Sequence, residues 1–205
     1  MKSTLRTWRT PAALFGGSLL LIVLVLVTGR VQLGLDELIG PKLDAGFITT
    51  RPDLVKGMMS LAEVKPGDIV YDLGCGDGRI VIAAARDHGA RGVGIDLNPK
   101  RIKEANDNAR TAGVDDRVTF RVGDIFQEDY SDATVVALYL PADLNIRLRP
   151  QLWRQLKVGA RVVSNDSGMG PEWPAEKTEQ VGNATLYYWT IREEQKRAAA
   201  AAPAT

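Results

Sequence analysis

The 205-residue sequence contains a single cysteine, Cys75, and a single histidine, His88. One thiol makes no internal disulfide, and neither residue has the neighbours of a zinc cluster, so no disulfide scaffold and no metal site are expected. Aromatic residues are scarce at 6%, and 26 basic against 25 acidic residues leave a net charge of only +1. With 45% hydrophobic and 25% charged residues, the composition is that of a globular protein and excludes a disordered or collagen-like chain. The near-zero charge conceals an uneven distribution. Residues 1–30 have no acid and carry Lys2, Arg6, Arg9 and Arg30, so residues 31–205 hold 22 basic and 25 acidic groups, a balance of −3. A mildly acidic body is poorly suited to wrapping nucleic-acid phosphates, and no nucleic-acid partner is expected.

Charge is also missing from Thr10 to Gly29, twenty residues centred on Leu19–Val27. As a helix this stretch rises about 30 Å, the hydrocarbon thickness of a bilayer. Trp8 and Arg9 on one side and Arg30 on the other are interface residues by type. The run has no polar face and no small-x-small cleavage site near residues 28–32, so residues 1–30 are expected to be one hydrophobic helix that anchors the chain in a membrane. Positive-inside counting, with Lys2, Arg6, Arg9 and the amino terminus against Arg30 and Lys42, keeps the N-terminus cytoplasmic and would export the body. The ligand inferred below is made in the cytosol, however, and an enzyme is useless without it. The expectation is therefore a single-pass anchor with the body facing the cytoplasm.

Beyond a linker at 31–46 with Gly34, Gly40 and Pro41, the pattern becomes regular. Helices are predicted over 54–61, 80–87, 99–112 and 144–156, the third opening with Pro99 at its first turn. Strands are predicted over 69–73, 93–96, 118–122, 133–140 and 161–164, with 177–181 and 185–191 forming a closing antiparallel hairpin. Residues 193–205 are alanine-rich with no apolar face and are expected to be a disordered tail. Alternation of helices with continuously apolar strands predicts an α/β fold: a Rossmann-like, mostly parallel, seven-stranded sheet with an antiparallel edge hairpin, occupying residues 47–192. In such sheets ligands bind beyond the carboxyl ends of the strands.

Those ends carry the informative residues. The first strand runs into Asp72-Leu73-Gly74-Cys75-Gly76-Asp77-Gly78-Arg79, where Gly74, Gly76 and Gly78 permit a sharp turn with a ligand lying on the main chain. Asp96, eighteen residues beyond Gly78, ends the second strand and is placed to accept from both hydroxyls of a ribose. Asp124 follows the third strand, placed to accept from an adenine amino group, with Ile125 on one ring face and Leu97 on the other. The spacing is G-x-G-x-G, and Asp72 and Asp77 crowd the turn. A pyrophosphate would be repelled there, whereas the cationic amino group and sulfonium of S-adenosyl-L-methionine would be attracted, which separates a methyltransferase from a dehydrogenase. Cys75 and His88 have ordinary structural readings, as a small turn residue and a helix C-terminal residue. Trp153 and Trp173 are either substrate-facing or core.

On these motifs, residues 46–190 resemble the class I S-adenosylmethionine-dependent methyltransferases: Asp72–Arg79 matches the family's first motif without a gap, and Asp96 and Gly123-Asp124 match its second and third. Phe47-Ile48-Thr49-Thr50, Tyr71–Gly74 and Asp77-Gly78-Arg79 further resemble the mitochondrial lysine methyltransferases of the ATP synthase c-subunit and adenine nucleotide translocase, with their small prokaryotic relatives. Leu144-Asn145 through Leu156, Gly159 and Arg161–Ser164 resemble the non-SET histone-lysine methyltransferases. The resemblance implies the seventh, antiparallel strand, and a segment at Thr49 and Thr50 that closes over the methionine end of the cofactor; a plain helix cap is the other reading of these two threonines. Tyr139, at the end of the fourth strand, is the candidate catalytic residue, offering a ring face or hydroxyl to an amine. Tyr139-Leu140-Pro141 departs from the acidic or amide residue followed by Pro-Pro-aromatic of adenine and glutamine amide methyltransferases. Asn145, Asn165 and Asp166 are candidate supporting groups, each also explicable as a cap or turn. The expectation is methylation of protein lysine, with a small lipophilic acceptor or a non-catalytic cofactor-binding protein as alternatives.

Overall fold

The computed structural model describes residues 49–201. The sequence-predicted membrane helix at 1–30 and linker at 31–46 lie outside the described residues; among those described, no helix is long and apolar enough to cross a membrane.

The chain order is α1 (Pro52–Leu61), β1 (Ile69–Leu73), α2 (Arg79–His88), β2 (Arg91–Asp96), α3 (Pro99–Ala112), β3 (Val118–Val122), β4 (Val135–Leu138), α4 (Ala142–Gln155), β5 (Arg161–Asn165), β6 (Lys177–Val181), β7 (Ala184–Thr190) and α5 (Glu193–Ala201). One seven-stranded sheet runs β3-β2-β1-β4-β5-β7-β6. The first five strands in chain order pair in parallel, and β7 pairs antiparallel with both β5 and β6. Helix ends follow local chemistry. Asn98 accepts from Lys100 N with its side chain at 2.9 Å to cap α3, and α2 and α3 stop at Gly89 and Gly113 in the left-handed conformation.

Side chains alternate across the sheet. On one face Val70, Val135, Ala137, Val163 and Leu186 pack with Leu54, Val55 and Met58 of α1 and Ile80 and Ala84 of α2. A Cβ added at Gly57 would stand 2.8 Å from Leu186, so α1 approaches the sheet closely because that position is bare. On the other face Tyr71, Leu73, Val136, Leu138 and Val162 pack with Leu144, Leu148 and Leu152 of α4 and with Trp173 and Trp189. Trp173 is therefore a core residue; Trp153 is half-buried against its edge, ring centroids 5.7 Å apart.

At the end of the sheet opposite the strand tips, Arg161 donates to Ala62 O, Glu63 O and the buried carboxylate of Asp68, which also accepts from Thr134 Oγ1. This network fastens the start of β5 to the loop leading into β1.

The tail corrects the sequence reading. Residues Glu193–Ala201 form a helix packed on α4 rather than a disordered segment. Lys196 Nζ donates to Arg154 O and Leu156 O at 2.7 and 2.8 Å, and Gln195 is buried. Polar hooks hold this helix where an apolar stripe is absent, and alanine supplies the propensity.

Candidate functional site

The turn after β1 is a tight cradle. Gly74 N and Cys75 N both donate to Ile95 O on β2, at 2.8 and 2.9 Å, and Gly78 N donates to Cys75 O at 2.9 Å. Gly74, Gly76 and Gly78 have φ of +92°, +52° and +79°, values that L side chains rarely adopt. At Gly78 space also forbids a side chain, since a Cβ would stand 2.6 Å from the Phe120 ring and 2.9 Å from Ala105. Cys75 is buried, its thiol 2.8 Å from where a Cβ at Gly94 would lie, so its role is packing. Burial, then the charges of Asp72 and Asp96, push that thiol far above its ordinary range.

Asp96 ends β2 beside this turn. Its Oδ2 accepts from Gly76 N at 2.9 Å and its Oδ1 from Asn98 N at 2.8 Å. One carboxylate thus ties turn, strand and the start of α3 together, and each oxygen retains a second lone pair. Gly123 N donates to Asp96 O at 3.0 Å, bringing the end of β3 alongside. Asp124 then opens a turn, accepting from Phe126 N at 2.9 Å and from Gln127 Nε2 at 3.0 Å. Leu97 and Ile125 are half-buried, and Ile125 packs on the α4-side core. The structure therefore brings Gly74, Gly76, Gly78, Asp96, Leu97, Asp124 and Ile125 together at the tips of three adjacent strands.

A small cleft adjoins the turn, lined by Thr49, Thr50, Asp72, Gly74, Asp77, Arg79 and Tyr139 among others. Among the described residues no group donates a hydrogen bond to the buried Asp72 carboxylate. Burial first, then the nearby charges of Asp96 and Asp77, raise its pKa to about 8. Asp77 behaves oppositely. Burial works against its ionisation, but hydrogen bonds and charge from Arg79 outweigh this and hold its carboxyl below the ordinary range.

Thr49 and Thr50 do not cap α1. The N-cap is Arg51, whose side chain makes no capping bond, and Asp53 takes its guanidinium instead. Thr50 is buried with its carbonyl accepting from Arg79 Nη1 at 2.7 Å, whereas Thr49 is exposed. Arg79 is a site residue for which the sequence reading assigned no role. It clamps Asp77 with two nitrogens and reaches across to the segment before α1, joining the glycine turn to the strap over the cavity. The signal available was its spacing of two from Asp77. Asn108 adds a second tie, donating to Asp77 O at 3.0 Å. Of the supporting candidates, Asn145 donates to Ser164 Oγ and Ser167 O on the α4 face, and Asp166 accepts from Thr185 N in a turn. Asn165 is wholly buried at the end of β5.

S-adenosyl-L-methionine fits these residues on two observations. A cationic ligand finds in Asp72 a buried acid without a counter-ion, and the left-handed glycines expose bare backbone where a bulky ligand lies flat. A larger open groove between α1, α2 and α3 has Asp77 and Arg79 on its rim but none of the three glycines, nor Asp96 or Asp124, and lacks this chemistry.

Comparison with known proteins agrees with this geometry. The family model described as the ANTKMT methyltransferase domain matches residues 72–177. A protein-lysine N-methyltransferase of Saccharolobus islandicus is 40% identical, over 72% of this chain and 94% of its own. An adenine nucleotide translocase lysine N-methyltransferase of Mus musculus is 32% identical, over 72% of this chain and 63% of its own. The crystal structure of an RNA methyltransferase from Salinibacter ruber with S-adenosyl-L-homocysteine is 51% identical, covering 71% of this chain and 95% of that one, with a TM-score of 0.70. The chain belongs to the class I S-adenosyl-L-methionine-dependent methyltransferases, in the family of the ANTKMT methyltransferase domain.

Proposed function

We propose that the chain methylates lysine side chains of proteins. Bound in the cradle, S-adenosyl-L-methionine supplies a methyl on a sulfonium. Asp72 would face its amino group, Asp96 its ribose hydroxyls and Asp124 its adenine amino group, with Leu97 and Ile125 against the ring and Thr49 and Thr50 over the methionine end. The chain's own task is alignment and exclusion of water.

The observation that carries the acceptor reading is Tyr139. It follows β4 and lines the same cavity as Asp72, where a ring and hydroxyl meet the acceptor in place of an acid or amide. A phenol there suits an amine that arrives neutral, since it offers no full charge to hold the ammonium form. The names of the Saccharolobus and mouse relatives support lysine. The Salinibacter protein is described as an RNA methyltransferase; the −3 charge of residues 31–205 favours a protein acceptor over polyanionic RNA.

The uncharged stretch Thr10–Gly29 supports a single-pass anchor that holds the domain near acceptors at a membrane; the cytosolic origin of the cofactor, against the positive-inside count, supports a body facing the cytoplasm. A reporter fused after Thr205 reads that orientation.

Incubating membranes and the cytosolic fraction with enzyme and radiolabelled cofactor separates the acceptor classes. Label in a protein band that yields methyllysine on acid hydrolysis is the expected result. Label in RNA, or in an organic-extractable small molecule, overturns the lysine reading, and no transfer at all favours a binding protein.

A further inference from the structure

The end of β5 carries a group that the cofactor does not need. Asn165 is 0% exposed, and neither its Nδ2 nor its Oδ1 has a hydrogen-bond partner among the described residues. An amide buried with both ends unpaired is costly and calls for a ligand. Its neighbours differ: Asp166 is tied to Thr185 N, and Asn145 donates through Nδ2 to Ser164 and Ser167 with only its Oδ1 unpaired, whereas Asn165 is unpaired at both ends.

Strand register places this amide at the methyl-acceptor end of the site. The last β4–β5 pair is Leu138 with Ser164; Tyr139 directly follows β4, and Asn165 closes β5, where it pairs with Leu186 of β7. Alternation puts both on the face of Ala137 and Val163, which pack beneath α1. Asp72 lies on that face too, two residues past Val70. Asp72, Tyr139 and Asn165 therefore stand on one face at the tips of the adjacent strands β1, β4 and β5, and Thr50 lines the cavity with the first two.

We propose that Asn165 Oδ1 accepts an N–H of the incoming lysine amine and so aims its lone pair at the methyl group. The inference rests on the amine-acceptor reading above. The amine's lone pair forms the new N–C bond while the C–S electron pair stays on sulfur, and the product ammonium sheds its proton to water. An amide orients the amine without charge. A carboxylate in its place would favour the ammonium form, whose lone pair is blocked. Burial acts in the same direction by disfavouring the charged amine.

The test uses the full chain, radiolabelled cofactor and detergent-solubilised membrane protein as acceptor, with methyllysine counted after acid hydrolysis. Asn165→Leu is expected to slow methyllysine formation about 100-fold, as loss of aim at a reacting centre does. It should leave S-adenosyl-L-homocysteine affinity within about twofold and raise Tm or leave it unchanged, because an unpaired amide gives way to an apolar group of similar size. Asn165→Asp keeps the acceptor oxygen. It should retain turnover at high pH but move the rising limb of the pH–rate profile upward by about one unit, because a carboxylate raises the amine's pKa. An Asn165→Leu protein that labels at the wild-type rate, or one that slows only together with a lowered Tm and weakened cofactor affinity, overturns the proposal, as does an Asn165→Asp profile that does not move. Wild-type protein that makes no methyllysine at all overturns the lysine reading instead, and this assignment with it.

Discussion

Gly76 donates its backbone N–H to Asp96 Oδ2 over 2.9 Å, locking the glycine turn onto the end of the neighbouring strand. The acid read from the sequence as a ribose acceptor is thus already oriented by the protein, with Asn98 N on its other oxygen. Preorganisation of this kind lowers the cost of ordering the site when ligand arrives.

Asp96→Ala removes both the orienting contact and the acceptor. The expected loss is about 1–3 kcal/mol of S-adenosyl-L-homocysteine binding, roughly 5- to 150-fold in Kd, measured by titration calorimetry. Affinity equal to wild type would sink the ribose assignment.

Asp72 couples the site to pH. Its pKa is about 8 in the folded chain against an ordinary 3.8, with burial the main cause and Asp96 and Asp77 adding to it. The stability this group contributes as a neutral acid is fully present below pH 4 and is lost as pH rises towards 8. Asp72→Asn should therefore stabilise the ligand-free protein, with no gain near pH 4 and a gain on the order of 5 kcal/mol above pH 8, followed by thermal melts across that range. The same variant should bind cofactor more weakly. At pH 7 the wild-type carboxyl is mostly protonated, and a cationic ligand beside it drives the proton off. Calorimetry in buffers of differing ionisation enthalpy should register about one proton released per cofactor bound, and Asp72→Asn should abolish the release.

How far the sequence discloses this molecule depends on which force fixes each part. The helix Pro99–Ala112 is legible to the residue because Asn98, Pro99 and Gly113 are local stop and start signals. The strand–helix alternation gives the seven-stranded sheet and its closing hairpin for the same reason: apolar period and turn chemistry are both short-range. Asp96 and Asp124 are legible because each ends a strand next to the glycine turn. Arg79 is less so, because its tie to Thr50 O spans 29 positions and leaves no periodic trace. Thr49 and Thr50 suggest a cap by residue type, yet Arg51 occupies that position and Thr50 contributes its carbonyl instead. Asn165 reads as an ordinary strand-end amide. That both of its ends are unpaired emerges only once β4, β5 and α1 are packed together.

The tail offers the sharpest contrast between the two readings. A disordered residue 193–205 segment could be removed without consequence, whereas the helix Glu193–Ala201 closes the C-terminal end of α4 through Lys196, which donates to Arg154 O and Leu156 O. Carbonyls at a helix end otherwise lack partners, and a cation there also opposes the helix dipole. Lys196→Met keeps the aliphatic stem and deletes only these bonds. It should cost about 1–2 kcal/mol, a fall in Tm of roughly 3 °C per kcal/mol. Truncation after Arg192 should cost more, because it also uncovers the surface against which Gln195 is buried. Both variants should bind S-adenosyl-L-homocysteine as tightly as wild type, because α4 ends where β5 begins, at the end of the sheet away from Asp72 and Asp96. A melt unchanged by truncation would return the tail to the status its composition suggests.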